Sequence, residues 1–385
     1  MRPVVAGVGM TEVGERWEEG LMSLSVKASL AAIDSAKVGR PQAVFFSNMM
    51  SGRLQAQDHL GAFLADLIGE AGLPAIRIEA ACGSGGAAFH AGFSSVLAGL
   101  YDTVLVVGAE KMSDCTTEEV TTALMTAEDR EYTEFVGTSF VGLNAMVHRL
   151  YVEKYGVTEP QMAALSVLGH ENAVNNPYAQ FRRRVSLEEV LESPYVADPI
   201  RLLEAAPMSD GAAAVMLTTE DKAEQAHVPY AQVLSSRVGT DAFRLYERED
   251  LTFFSSVRRA AEEACRDASK TPSDMDIVEV HDAFTVVGYL ALDALGVSDR
   301  GKSPEMTEGG RFGLTGRPAV NTMGGLKARG HPIGATGLYQ VAEVYLQLTG
   351  KAGKNQVDRA RIGAAVNIGG VGTTSTVTIL EGVSR

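Results

Sequence analysis

Ile78-Glu79-Ala80-Ala81-Cys82-Gly83-Ser84-Gly85-Gly86-Ala87 leads a short apolar approach into a cysteine and then into a run of glycine, serine and alanine. Phe89, Phe93, Val96, Leu97 and Leu100 follow at helical spacing, so the stretch predicts a strand that ends at Cys82 and a helix that opens just after it. The same alternation extends in both directions. Residues 42–50, 102–109, 212–219 and 362–368 read as buried strands. Residues 21–37 read as a helix with Val26, Leu30 and Ile33 on one face. Beyond Gly334, the positions Leu338, Val341, Ala342, Tyr345 and Leu346 form another helical stripe. Strands alternating with helices predict an α/β fold.

Residues 114–200 break this rhythm, with a polar, acidic start and an Arg182-Arg183-Arg184 cluster. They read as a helical and loop excursion, after which the strand–helix pattern resumes. From residue 228 it repeats the pattern of the first half without a letter-by-letter repeat. The expected organisation is one half from 1–113 and 201–227, an insertion at 114–200, and a second half at 228–385.

The chain has 385 residues, 45% hydrophobic and 21% charged, which excludes disordered, collagen-like and small disulfide-framework classes. A net charge of -14 argues against a large nucleic-acid footprint. No apolar run approaches the roughly 18 residues that would suggest a membrane span. The opening Met1-Arg2-Pro3-Val4-Val5 has no secretory pattern, so a cytoplasmic location is expected. Cys82, Cys115 and Cys265 form neither a disulfide framework nor a Cys-x-x-Cys motif.

Four segments carry chemistry. At Cys82, small neighbours allow close approach of a substrate or another backbone, and a helix N-terminus favours the nucleophilic thiolate. A small apolar filler is the bland alternative. In Asn321–Gly337, glycines flank His331-Pro332, presenting an imidazole able to exchange a proton near neutrality or merely to tie the loop. In Val278-Glu279-Val280-His281-Asp282-Ala283-Phe284, a histidine stands at a strand end, where α/β sheets usually bind ligands; Asp282 as a helix cap is the competing reading. Val366-Asn367-Ile368-Gly369-Gly370-Val371-Gly372-Thr373 is a turn that either closes a hairpin or offers N–H donors to an oxyanion. His59, His90, His148, His170 and His227 lack metal-ligand spacing with one another, so no metal is expected. The arginine run reads as a solvated face or as an anion contact.

In this order and together, the four segments resemble the thiolase superfamily across essentially the whole chain, and most closely its archaeal and bacterial branch similar to the sterol-carrier-protein type. Met208-Ser209-Asp210-Gly211 and Asn176-Pro177-Tyr178 add to that likeness. The resemblance implies two similar α/β halves in a five-layered αβαβα core, with 114–200 as a loop domain over the active site. It implies acyl transfer between coenzyme A and a 3-ketoacyl-CoA, with coenzyme A as substrate or product and no permanently bound cofactor. Acetoacetyl-CoA formation or cleavage is the leading expectation. Alternatives are a bulkier substrate such as benzoylsuccinyl-CoA, a decarboxylating ketoacyl synthase (disfavoured by Pro332 after His331), or a non-catalytic scaffold or lipid carrier.

By the same resemblance Cys82 is the acylated nucleophile and His331 activates it. His281 replaces an asparagine common in the family, and Gly370, with Gly369 a near-equal candidate, joins the Cys82 N–H in an oxyanion hole. Cys82, His281 and His331 are thus the catalytic candidates, the two histidines also serving thioester oxygens, while Arg182, Arg183 and Arg184 are candidate substrate contacts. The second cysteine that most thiolases use for α-proton transfer is missing: Asn367 and Ala283 stand in the two blocks where it occurs. His281 or His331 is therefore expected to move that proton. Implied partners are a second copy in a homodimer or homotetramer, a small OB-fold zinc-ribbon protein and, in archaea, hydroxymethylglutaryl-CoA synthase; no nucleic acid or membrane is implied.

Overall fold

The computed structural model describes residues 2–383. Its first half runs β1 (Pro3–Met10), α1 (Leu21–Ala36), β2 (Val44–Ser47), α2 (Leu60–Leu67), β3 (Ala75–Ile78), α3 (Ser84–Leu97) and β4 (Thr103–Glu110). The chain then passes through α4 (Thr117–Leu124), α5 (Phe140–Tyr155) and α6 (Glu159–Ala173) before β5 (Gly211–Thr219). The second half repeats the series as β6 (Ala231–Thr240), α7 (Ser255–Ala268), β7 (Ile277–Glu279), α8 (Thr285–Leu295), β8 (Ala319–Val320), α9 (Thr336–Leu348), β9 (Ile362–Gly369) and β10 (Thr374–Gly382).

The strands form one mixed sheet in the order β8-β7-β9-β10-β6-β1-β5-β4-β2-β3. This order is a palindrome of counterparts. β2 lies parallel to β3 and β4, as β7 does to β8 and β9. β4, β5 and β1 are antiparallel neighbours, as are β9, β10 and β6. The halves join where β1 pairs with β6, at Val4↔Gln232 and Val5↔Ala231. α3 and α9 pack on each other and touch strands of both halves, α1 covers β1 and β5, and α7 covers β6 and β10. The layers are therefore αβαβα.

The central helices meet through glycine. A Cβ on Gly85 would lie 2.8 Å from the Gly337 nitrogen, and one on Gly337 would lie 2.4 Å from the Gly86 nitrogen. Glycine-rich stretches after Cys82 and His331 are thus required by backbone contact, and that contact brings the two segments together.

Several local expectations shift. The strand expected over 42–50 is confined to β2, because Asn48, Met49 and Met50 turn away to donate to the buried Glu110 carboxylate. The strand before Cys82 ends at Ile78, and the cysteine sits in the following turn. α1 buries Leu24, Ala28 and Ala32, whereas Leu30 is exposed. Alanine wins that face because β1 approaches closely: a Cβ on Gly9 would lie 2.1 Å from the Ala28 carbonyl oxygen. Leu97 and Leu100 likewise end outside the core. Among the described residues no helix is long and apolar enough to cross a membrane.

Candidate active site

Cys82 occupies the tight turn between β3 and α3. Ala81 before it has φ 50°, and Ser84 Oγ both accepts from the Ala80 N–H (2.9 Å) and donates to the Ala81 carbonyl (2.6 Å). His281 follows β7; the Val280 N–H donates to Asn321 Oδ1 (2.8 Å), and Asp282 accepts from the Leu326 N–H (2.7 Å). His331 precedes α9 in a loop pinned at two points: its own N–H donates to Ser209 Oγ (3.0 Å), and the Gly334 N–H to Glu110 Oε2 (2.9 Å).

These elements converge. One ligand atom each from Cys82, His281 and His331 lie within 4.8 Å of one another, and all three residues are buried. The imidazole rings meet edge to face, 5.0 Å between centroids at 88°.

The hydrogen bonds fix which ring nitrogen carries each proton. Asn367 Oδ1 accepts from the Gly86 N–H (3.0 Å), which orients its amide. Its Nδ2 then donates to the Cys82 carbonyl (3.1 Å) and faces His281 Nδ1 (3.1 Å). An amide N–H can face only a lone pair, so His281 Nδ1 accepts and neutral His281 carries its proton on Nε2. At His331 the logic reverses. Thr336 Oγ1 donates to the Pro332 carbonyl (3.1 Å), leaving it to accept from His331 Nδ1–H (2.7 Å), and Nε2 holds a free lone pair. The two imidazoles thus present opposite faces: a donor from His281 and an acceptor from His331.

The site rests neutral. Burial pushes the Cys82 thiol up to about 12, with Glu110 and Glu128 adding to the effect; the N–H groups of Gly370 and of Cys82 itself point at the sulfur and oppose it. Burial also lowers His281 to about 3, assisted by Arg329. His331 falls well below the usual histidine range through burial, then His281 and Arg329. The thiolate expected from the helix N-terminus is thus not the resting form, because desolvation outweighs the helix end. Beneath the rings, Arg329 is fully buried and paired with Glu343 at 2.8 Å.

A small apolar cavity of about 80 Å³ opens beside Cys82 and His331, walled by Met112, Val120, Leu124, Phe140, Met208, Phe284 and Ile333. The wall joins both halves to α4 and α5. Arg182, Arg183 and Arg184 do not line it; they lie at the surface within 4.0 Å of Glu12, Glu189 and Glu171 respectively. Cys115 is half-buried with its thiol directed at the Leu54 carbonyl, and Cys265 is packed in the core.

Glu128, which belongs in sequence to the acidic start of the 114–200 excursion, holds the glycine turn: its Oε1 accepts from the Val371 N–H (3.1 Å). Burial raises its carboxyl from 4.5 to about 6. The native state therefore keeps a proton that the unfolded chain has released, and stability falls as pH rises between about 4.5 and about 6. Glu128→Gln is expected to flatten that part of the curve, by about 2 kcal/mol over the interval, in urea unfolding followed against pH. An unchanged slope would assign the titration elsewhere.

The pattern of the "Thiolase, N-terminal domain" matches residues 4–221, and that of the "Thiolase C-terminal domain-like" family matches residues 238–382. The chain is 43% identical to an acetyl-CoA acetyltransferase of Methanothermobacter thermautotrophicus, over 99% of this chain and 100% of the other. It is 37% identical to an acetyl-CoA acetyltransferase of Methanocaldococcus jannaschii, over 99% of both chains. A benzoylsuccinyl-CoA thiolase subunit of Thauera aromatica is 31% identical over 92% of this chain and 91% of its own. Among solved structures, the Ltp2-ChsH2(DUF35) aldolase aligns with a TM-score of 0.85 at 21% identity, covering 99% of this chain and 98% of that one. With matching family patterns over both halves and full-length relatives at this identity, the chain belongs to the thiolase family of acyltransferases.

Proposed function

We propose that the protein is an acetyl-CoA C-acetyltransferase working through S-acetyl-Cys82, with His331 as the proton carrier and His281 as an oxyanion donor. The observation that carries this reading is the convergence of Cys82, His281 and His331 on one buried point, with Thr336 Oγ1 at His331 Nδ1 and the Asn367 amide at His281 Nδ1.

As Cys82 Sγ attacks the thioester carbonyl, its proton passes to His331 Nε2 and the carbonyl electrons move onto oxygen. The N–H groups of Cys82 and Gly370 receive that charge; one such donor typically contributes about 3–4 kcal/mol to lowering the barrier. The C–S bond to coenzyme A breaks, and the departing thiolate takes the proton from His331. In condensation, His331 Nε2 then removes an α-proton from a second acetyl-CoA while His281 Nε2–H holds the enolate oxygen. The carbon attacks the acetyl group, the C–C bond forms, and Cys82 leaves and regains its proton from His331. Thiolysis is the same path reversed. His281 cannot serve as base in its resting tautomer, which leaves His331 to carry the proton in the absence of a second motif cysteine. Because neither partner is charged at rest, the thiol is unreactive until a carbonyl is in place to accept electrons.

Residues 114–200 act as the loop domain in this reading, supplying Val120, Leu124 and Phe140 to the acyl wall. The small, almost wholly apolar cavity beside Cys82 supports a short acyl group as the substrate of this reading. A thiolysis panel is expected to favour acetoacetyl-CoA over longer straight-chain and aromatic 3-ketoacyl-CoAs; preference for an aromatic substrate would move the assignment to the bulkier-substrate branch. The proposal places the enzyme in the cytoplasm as a homodimer or homotetramer. The DUF35 component named with the structural relative is reason to repeat the panel with a small OB-fold, zinc-ribbon partner.

A further inference from the structure

Three groups that can ligate a soft divalent cation converge on one buried point, and two of them are oriented by hydrogen bonds behind the ring. Cys82 Sγ, a nitrogen of His281 and a nitrogen of His331 lie within 4.8 Å of one another. In a tetrahedral zinc site with Zn–S near 2.3 Å and Zn–N near 2.0–2.1 Å, such atoms stand roughly 3.4–3.6 Å apart, so each group has to move by no more than roughly 1 Å. Thr336 Oγ1 holds His331 Nδ1–H at 2.7 Å, leaving Nε2 ready to coordinate, in the manner of the outer partners that orient metal-bound histidines. The cavity of about 80 Å³, which Cys82 and His331 line, has room for a water molecule or a coenzyme A sulfur as a fourth ligand.

One contact opposes metal. Asn367 Nδ2 donates toward His281 Nδ1 and so keeps the proton on Nε2, the nitrogen left to coordinate. Coordination requires that proton to move to Nδ1, where the Asn367 amide then presents the wrong group. The amide cannot turn over without losing its bonds to the Gly86 N–H and the Cys82 carbonyl. Asn367 thereby favours the donor form of His281 and disfavours the ligand form.

We propose that Cys82, His281 and His331 form a latent zinc site that silences the enzyme when occupied, and that Asn367 sets its affinity. On binding, the Cys82 S–H bond breaks and its proton goes to solvent. One Zn–S and two Zn–N bonds form as water leaves the ion, and the His281 proton shifts from Nε2 to Nδ1. One proton is released per zinc. The inference uses the same side chains as the proposed catalysis but not their catalytic roles: acetyl transfer to Cys82 without zinc binding would sink this inference alone.

The test is a titration of the full chain with Zn²⁺ against a chromogenic chelator, with Co²⁺ as the spectroscopic probe, on wild type, Cys82→Ala and Asn367→Asp. Wild type is expected to bind one ion per chain, to release one proton by calorimetry in buffers of different ionisation enthalpy, and to show a sulfur-to-cobalt charge-transfer band. Cys82→Ala is expected to lose that band and the zinc stoichiometry. Asn367→Asp, whose carboxylate accepts from His281 Nδ1–H, is expected to tighten zinc about 10–100-fold. Asn367→Ala, which frees the ring to change tautomer, is expected to tighten it less and serves if the aspartate variant does not fold. Zinc binding undiminished in Cys82→Ala, no cobalt–sulfur band in wild type, or affinity unchanged in a folded Asn367 variant would overturn the proposal.

Discussion

Cys82→Ala is expected to lower thiolysis of acetoacetyl-CoA by on the order of 10⁶-fold, the loss seen when the nucleophile of a comparable covalent relay is removed. The argument is geometric. The sulfur is the atom at which the His331 acceptor and the Gly370 and Cys82 N–H groups converge, and no other cysteine reaches the cavity. Fold and coenzyme A affinity should survive, because the change removes one atom at a site that already adjoins a cavity. A variant that is folded, binds coenzyme A and turns over within tenfold of wild type would refute a covalent route.

The second large effect separates the histidines. His331→Ala should slow both release of coenzyme A from acetyl-CoA and solvent deuterium exchange into its methyl group, each by roughly 10²–10⁴-fold, the range for a lost general base. His281→Ala should leave acetylation of Cys82 largely intact and slow exchange by roughly 10²–10³-fold, the loss expected for one oxyanion donor. His281→Asn restores an N–H donor without a base, so it should recover most of the exchange lost in His281→Ala. If His281→Asn instead exchanges as poorly as His281→Ala while His331→Ala exchanges normally, the proton roles are reversed.

The parts of this site that announce themselves in sequence are those whose chemistry is local. A cysteine or histidine set among glycines stands out because few structural needs produce that neighbourhood, and Cys82, His281, His331 and the Gly369–Gly372 turn were legible for this reason. The groups that tune them were not. Asn367 reaches the Gly86 N–H across 281 positions of sequence, and Glu110 reaches the Gly334 N–H across 224. Such pairings exist only after the palindromic sheet has folded both halves around α3 and α9. Thr336 does carry a local signal, a hydroxyl five residues after His331.

The alternation of strands and helices made the α/β class readable, yet the α1 face was misplaced because hydrophobic size pointed to Leu30, whereas the closeness of β1 demands alanine. The protonation of Cys82 follows a related logic. A helix N-terminus is visible in sequence, but the burial that overrides it and raises the thiol to about 12 is a property of the folded whole. The arginine run shows the converse, since its charge is visible but the nearby surface carboxylates at Glu12, Glu189 and Glu171 are not.

The most direct measurement is the mass of the intact protein, followed by peptide mapping, after brief mixing with acetyl-CoA and acid quench. The account predicts one acetyl group per chain, carried by the Cys82 peptide and discharged by added free coenzyme A. Acetylation found only on other residues, or full turnover with Cys82 never acetylated, would contradict it.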